Sequence, residues 1–186
     1  EREITPLTLE DDTVVSKDDG PRPGTNYEAV SQLKPVFRPD GTVTAGNACP
    51  LNDGAAAVVV MSDTMAKNLG LTPLARIVDT CLVGVDPVLM LTGPIDATRT
   101  LLERNDLRLD DIDLFEINEA FNSVPVAAIR TLGIDPTIVN VNGSGCSLGH
   151  PIAATGARMI VTMINELQRQ GKTLGLVAMC AGGGMG

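Results

Sequence analysis

Three short segments hold the side chains that could do chemistry, and two of them set a reactive group among glycines. "NGSGCSLGHP", residues 142–151, contains the chain's only histidine, His150, in a run with three glycines. "EINEAFN", 116–122, contains Asn118, and "CAGGGMG", 180–186, places Cys180 just ahead of a glycine run. A neutral imidazole in a glycine-lined turn can take a proton from a thiol or stabilise an oxyanion; a lone histidine can equally be a packed, hydrogen-bonded structural residue. Asn118 falls where a strand gives way to a helix. It reads either as an N-cap or as an amide that holds a water or polarises a carbonyl. A thiol at a strand end, followed by glycines with open backbone N–H groups, suits an acid/base beside an oxyanion hole. A nucleotide-phosphate loop is the rival reading, but no helix and no Lys-Ser/Thr pair follows. Cys146 is a weaker candidate, because spacing in a loop does not fix a sulfur–nitrogen distance and cysteine is commonly just a small buried residue.

The elements that must position these groups alternate along the chain. "NYEAVSQL" (26–33) predicts a short helix within an otherwise irregular first fifty residues, where "DDGPRPG" and "FRPDGTVTAGN" are strong turn signals. "GAAAVVVMS" (54–62) reads as a buried strand, with Asp63 able to cap a helix that stops at Gly70. "LARIVDTCLVGV" (74–85) is strand-like, and "DATRTLLERNDL" (96–107) is an amphipathic helix. "IDLFEI" (112–117) is a strand, "EAFNSVPVAAIRTLG" (119–133) a helix, and "TIVNVNG" (137–143) a short strand. A long helix follows over 151–170, with Pro151 in its first turn, Gly171 as its stop and apolar residues nearly all round, so it belongs between layers. "LGLVAMCA" (174–181) is the last strand. Strands alternating with helices define an α/β fold, and ligands in such folds bind where strands end and helices begin, which is where all three segments lie.

Composition narrows the function classes. The 186 residues are 44% hydrophobic and 20% charged, typical of a soluble globular protein, and only 2% aromatic, so aliphatic residues must build the core. A net charge of −9 argues against a nucleic-acid surface. No apolar run is long enough to span a bilayer. Cys49, Cys81, Cys146 and Cys180 form no CxxC pair, so a metal site is not expected; reduced thiols and a cytoplasmic location are. The chain opens without methionine and stops at a glycine run, which reads as a fragment or one piece of a cleaved chain.

Taken together and in order, "NEAF", then "GHP" on a glycine-rich turn, then "C-x-GGG-M-G", resemble the C-terminal half of thiolases. "GTVTAGN", "NDGAAAVVVMS" and "TGPIDAT" also look like thiolase segments, so the resemblance runs from about Ile4 to Gly186. It implies a layered α-β-α-β-α fold when complete. In this chain 1–51 would be part of a CoA-covering loop domain, 52–70 the last strand and helix of the N-terminal thiolase domain, and 71–186 the C-terminal domain. It also implies Claisen chemistry on acyl-CoA thioesters, either cleavage of 3-ketoacyl-CoA by CoA or the reverse condensation, with CoA as co-substrate and no permanently bound cofactor. His150 would keep a nucleophilic cysteine as thiolate and help bind the thioester oxygen beside a water held by Asn118. Cys180 would shuttle the proton at the α-carbon, and the Gly182 N–H would face the acyl-enzyme oxygen. Phe37, Ala45 and Cys49 would line the pantetheine of CoA, and Met90 and Phe121 the thioester pocket.

Departures and gaps accompany the resemblance. Cys49-Pro50 stands where the family commonly has Ser-Gly, Leu91 where glycine is frequent, and Ala153 in place of a common glycine; these leave open the length of the acyl chain. The family's nucleophile sits in a Cys-x-Ser-Gly type segment that nothing here matches. It is expected in an N-terminal half that would complete the sheets, so the chain alone should be inactive, and the complete enzyme a homodimer or homotetramer. A non-catalytic acyl-CoA carrier and a ketoacyl-synthase-like condensing enzyme are the competing readings. The presence of both His150 and Cys180 speaks against the first, and the single histidine with "CAGGG" against the second.

Overall fold

The computed structural model describes residues 3–186. Its centre is a pair of parallel strands, β3 (Leu114–Ile117) and β4 (Gly175–Ala178), in the register Leu114↔Gly175 to Ile117↔Ala178. Phe115 and Ile117 of β3 are almost completely enclosed, together with Val124, Ala128, Ile134 and Leu176. A strand covered on both faces must be apolar throughout, and "LFEI" satisfies this except at Glu116, whose charge is matched by Arg158.

Three helices cover the pair. The helix α3 (Gly93–Arg104) begins with proline at its first turn and carries Asp96 there, next to the positive end of the helix dipole. The helix α4 (Ser123–Leu132) ends at Gly133, whose φ of +77 is the left-handed conformation that closes a helix without a Cβ penalty. The helix α5 (Thr155–Gln170) ends the same way at Gly171 and packs on β3 and β4. None of its residues from Thr155 to Leu167 is exposed, in keeping with the all-round apolar pattern; Met159 and Met163 are its most buried apolar side chains. It starts later than Pro151 suggested. The four residues after His150 form a turn in which the Ala154 and Thr155 N–H groups both donate to Pro151 O.

The first half is more open. A hairpin pairs two short antiparallel strands, β1 (Leu7–Thr8) and β2 (Val14–Val15), and the helix α1 (Tyr27–Ser31) is capped by the Asn26 side chain. The helix α2 (Asp63–Asn68) is capped by Ser62, whose hydroxyl accepts from the Met65 N–H; Asp63 is its first residue rather than its cap. Two expected strands pair differently from the sequence reading. Residues 54–62 join no ladder among the described residues, and Val59 and Val60 are 84% and 68% exposed. Residues 74–85 pair only at their end, where Val83 and Val85 exchange hydrogen bonds with Gly184 and Gly186. Both segments have strand composition, but a strand needs a neighbour, and this chain provides little. The stretch 137–143 is likewise a 3-10 turn, Pro136–Ile138, with a single bridge from Val139 to Phe115.

Candidate active site

The parallel pairing of β3 and β4 brings the two strand-end motifs side by side. The Asn118 N–H donates to Ala178 O at 2.9 Å, which places Asn118 and Cys180 at the same end of the sheet. Asn118 is completely buried and does not cap a helix: α4 begins five residues later, with Asn122 at its N-cap position. Its side chain turns instead toward the glycine-rich loop, where Nδ2 lies 3.3 Å from Nε2 of His150.

His150 is anchored at three points. Its backbone N–H donates to Asn52 Oδ1 at 2.9 Å. Its Nδ1 lies 2.7 Å from Thr155 Oγ1, the first residue of α5. The Thr155 hydroxyl itself donates to Pro151 O at 3.0 Å, so toward the ring it accepts, which places the imidazole proton on Nδ1. That leaves the Nε2 lone pair facing the Asn118 amide, the form of a base ready to take a proton. Burial, and after it the charge of Arg158, hold the imidazole below its ordinary pKa and favour this neutral form. The ring opens onto a cleft of about 400 Å³ lined by Leu51, Asn52, Asp53 and Ile152.

The glycines around His150 are spacing devices. A Cβ at Gly145 would lie 2.8 Å from Asn118 Oδ1 and 2.9 Å from Glu119 O, so only glycine lets the loop close on the amide. Gly149 has φ +115, and a Cβ there would press on the Asn52 side chain. Asn118 Oδ1 is the one buried side-chain oxygen among the described residues without a hydrogen-bond partner. An unpaired buried acceptor costs about 1–3 kcal/mol, a cost found where a site keeps a group free for a ligand.

Cys180 is buried just beyond β4, and burial raises its thiol pKa, so the resting group is a protonated thiol. The glycine run behind it folds into a tight turn closed by hydrogen bonds between Ala181 and Met185, with φ +87 at Gly183 and +89 at Gly184. A Cβ on Gly182 would meet nothing within 4 Å, and the residue is exposed at the tip of the turn.

The remaining candidates divide into two groups. Residues 47–49 run antiparallel to 120–122: the Cys49 N–H donates to Ala120 O, and the Asn122 N–H to Asn47 O. This joins the first segment to the Asn118 turn and sets Phe37 edge-on to Phe121 with ring centroids 6.4 Å apart. Cys49 is half-buried there, its thiol pKa raised by burial. Ala45 lies apart and exposed, in a turn closed between Thr44 and Asn47. Met90 belongs to another turn, its N–H donating to Asp86 O and its φ at +31.

Several functional partners escaped the sequence reading. Glu119, in the turn after β3, accepts from Asn140 Nδ2 at 2.9 Å and from the Cys146 N–H at 3.1 Å. Asn140 also pairs both its amide atoms with the backbone of Ile117, taking the place of a neighbouring strand where β3 ends. Cys146 donates its thiol to Glu119 O at 3.2 Å, and burial first, then Glu119, push its pKa up to about 12. It is thus a structural thiol. Thr155 carried a signal, a hydroxyl at the start of an otherwise apolar helix; Asn52, 98 residues from His150, carried none.

Comparison with known proteins identifies the family. Residues 1–64 match the model of the thiolase N-terminal domain, and residues 71–186 that of the thiolase C-terminal domain. The chain belongs to the thiolase family. It is 49% identical over 187 residues to an acetyl-CoA acetyltransferase of Paracoccus denitrificans, covering 99% of this chain and 48% of that protein. Among solved thiolases, the dimeric peroxisomal enzyme of Saccharomyces cerevisiae superposes with a TM-score of 0.95 at 43% identity, over 99% of this chain and 47% of that one. The human mitochondrial 3-ketoacyl-CoA thiolase in complex with CoA gives 0.89 at 39% identity, over 97% and 45%. The chain therefore spans about half the length of the thiolases it matches. Among the described residues, no helix is long and apolar enough to cross a membrane, and no three His, Cys, Asp or Glu side chains converge as metal ligands.

Proposed function

We propose that this chain forms the C-terminal half of a thiolase active site, acting on 3-ketoacyl-CoA and CoA or on two acyl-CoA units in reverse. The observation that carries this reading is the Asn118–His150 pair, 3.3 Å apart, at the strand ends where Cys180 also lies. A thioester carbonyl becomes an oxyanion when a thiolate attacks it, and donors aimed at that oxygen lower the barrier. His150, proton on Nδ1 and lone pair on Nε2, can take the proton of a cysteine supplied by the N-terminal half. The imidazolium so formed then faces the developing oxyanion. The Asn118 amide, with Nδ2 toward the ring and Oδ1 free, can hold the water that completes the donor set.

Cys180 takes the second proton role. It is protonated at rest, so it can donate to the α-carbon of a leaving enolate; in condensation it first gives its proton to the departing CoA thiolate, and the thiolate so formed removes the α-proton of the second acetyl-CoA. The Gly182 N–H at the turn tip would meet the acyl-enzyme oxygen. Phe37, Ala45 and Cys49 would border pantetheine, with Met90 and Phe121 on the thioester side. The names of the relatives, an acetyl-CoA acetyltransferase and a 3-ketoacyl-CoA thiolase bound to CoA, support acyl-CoA as the substrate class. The dimeric yeast enzyme supports a homo-oligomer. On this reading 1–51 belongs to the loop domain over CoA, 52–70 closes the N-terminal domain, and 71–186 forms the C-terminal domain.

The test is a half-reaction in the full-length enzyme containing this chain. Labelled acetyl-CoA should mark the nucleophile covalently in Cys180→Ala, which then fails to turn over, whereas His150→Ala labels slowly. Near-normal turnover by Cys180→Ala would overturn the assignment.

A further inference from the structure

Beneath the Asn118–His150 pair lies a second polar contact between the same two elements. Glu116 is on β3, two residues before Asn118, so the alternation of a strand sends both side chains to the same face. Arg158 is on α5, three residues after Thr155, so the helix repeat sends it to the same side as the hydroxyl that holds His150. Arg158 Nη1 donates to Glu116 Oε1 at 2.6 Å, and Nη2 donates to Ser144 Oγ at 3.1 Å. Ser144 is fully buried in the loop that carries His150. One guanidinium thus ties together the strand that presents Asn118, the helix that presents Thr155 and the loop that presents His150.

We propose that the Glu116–Arg158 pair is a positioning device for the Asn118–His150 pair, fixing β3, α5 and the glycine-rich loop so that amide and imidazole face each other. The proposal rests on the functional reading above and adds two residues to it. Stability alone is a poor reason for this ion pair. Glu116 has 4% of its side chain exposed, and a buried pair is commonly no more stabilising than apolar residues of the same volume. A planar fork that meets two acceptors in fixed directions does supply geometry, which lysine cannot reproduce. Of the two charges, Arg158 is the one that, after burial, holds the pKa of the imidazole down. The other ionisable groups on the elements around it are Glu116 and Glu119 at the end of β3, Asp53 across the cleft, and the thiols of Cys146 and Cys180.

Two variants of the full-length enzyme test this. Arg158→Lys keeps the charge and loses the fork. Glu116→Gln combined with Arg158→Met removes the charge from both sides and leaves no buried ion unpaired. Each is read by its melting temperature, by kcat, and by an NMR titration of the His150 ring, assigned from a His150→Gln variant. In Arg158→Lys we expect kcat to fall about tenfold to a hundredfold, as displacement of reacting groups by an ångström or less does, with the ring titrating as before. In the double variant the ring should titrate at higher pH, toward an ordinary imidazole, with a similar loss of kcat. If Arg158→Lys keeps kcat within about twofold, or if the double variant leaves the His150 titration unmoved, the proposal is overturned. An unaltered enzyme without activity on acyl-CoA would instead refute the functional reading, and the His150 titration would still decide the role of the pair.

Discussion

Nδ2 of Asn118 and Nε2 of His150 lie 3.3 Å apart although 32 residues separate them, because β3 and the glycine-rich loop meet where the sheet ends. Removing the amide should therefore act on the transition state more than on the fold. Asn118→Ala in the full-length enzyme should lower kcat by about 10²–10³-fold, the usual cost of losing one oxyanion-site group. Steady-state kinetics on a 3-ketoacyl-CoA, with circular dichroism to verify folding, measure this. An unchanged kcat would return Asn118 to a structural role.

Thr155 sets the tautomer. In Thr155→Val the Nδ1 proton loses its acceptor, the ring can rotate or shift its proton to Nε2, and the base faces away from the nucleophile. The rate of alkylation of the nucleophilic cysteine by iodoacetamide should fall about tenfold or more, within the usual range for general base assistance. Thr155→Ser, which restores the hydroxyl, should recover most of it.

The pH dependence follows from the direction of the His150 shift. Burial and Arg158 lower the folded pKa, so the ring stays neutral below the ~6.5 at which free imidazole charges. The stability linked to this group is fully present above the unfolded pKa and is lost as pH falls through the lower folded value. The acid limb of kcat/KM should accordingly lie below pH ~6.5. A limb at or above that value would show that the ring is not held neutral.

Gly145 is the glycine that packs directly on the Asn118 amide. Gly145→Ala places a methyl 2.8 Å from Asn118 Oδ1 and against the Glu119 carbonyl. We expect a loss of about 1–3 kcal/mol in stability from overpacking, and a drop in kcat larger than that of Gly156→Ala, where the nearest atom is 3.6 Å away. Denaturant melts and kinetics on the two variants make the comparison.

The first half of the chain should depend on a companion. Leu82 is 91% exposed and Val88 88%, and the strand-like residues 54–62 pair with nothing among the described residues. Residues 1–186 expressed alone should aggregate, and co-expression with an N-terminal thiolase half should restore a soluble oligomer by gel filtration. A monodisperse, cooperatively folding monomer would contradict this.

What the sequence alone determined is what depends on near neighbours and on residue type. The periodicity of α3 and α5, the stops at Gly133 and Gly171 and the buried run of β3 are local, and they are legible in composition and spacing. The ordered set of Asn118, His150 and Cys180 stood out through its resemblance to thiolase segments, since each residue alone suited a structural role as well. The tertiary structure decided the rest, and the reason is distance along the chain. Whether Asn118 caps a helix or faces an imidazole depends on where α4 starts, and residues 120–122 before it pair with the distant segment 47–49. Whether 54–62 pairs as a strand depends on a neighbour that composition cannot supply. The anchors of His150, Asn52 before it and Thr155 after it, and the guanidinium that links Glu116 to Ser144, come together only when the loop folds back over the sheet end. No local pattern records that event, since each contact is made by residues whose own neighbours would suit them equally well elsewhere.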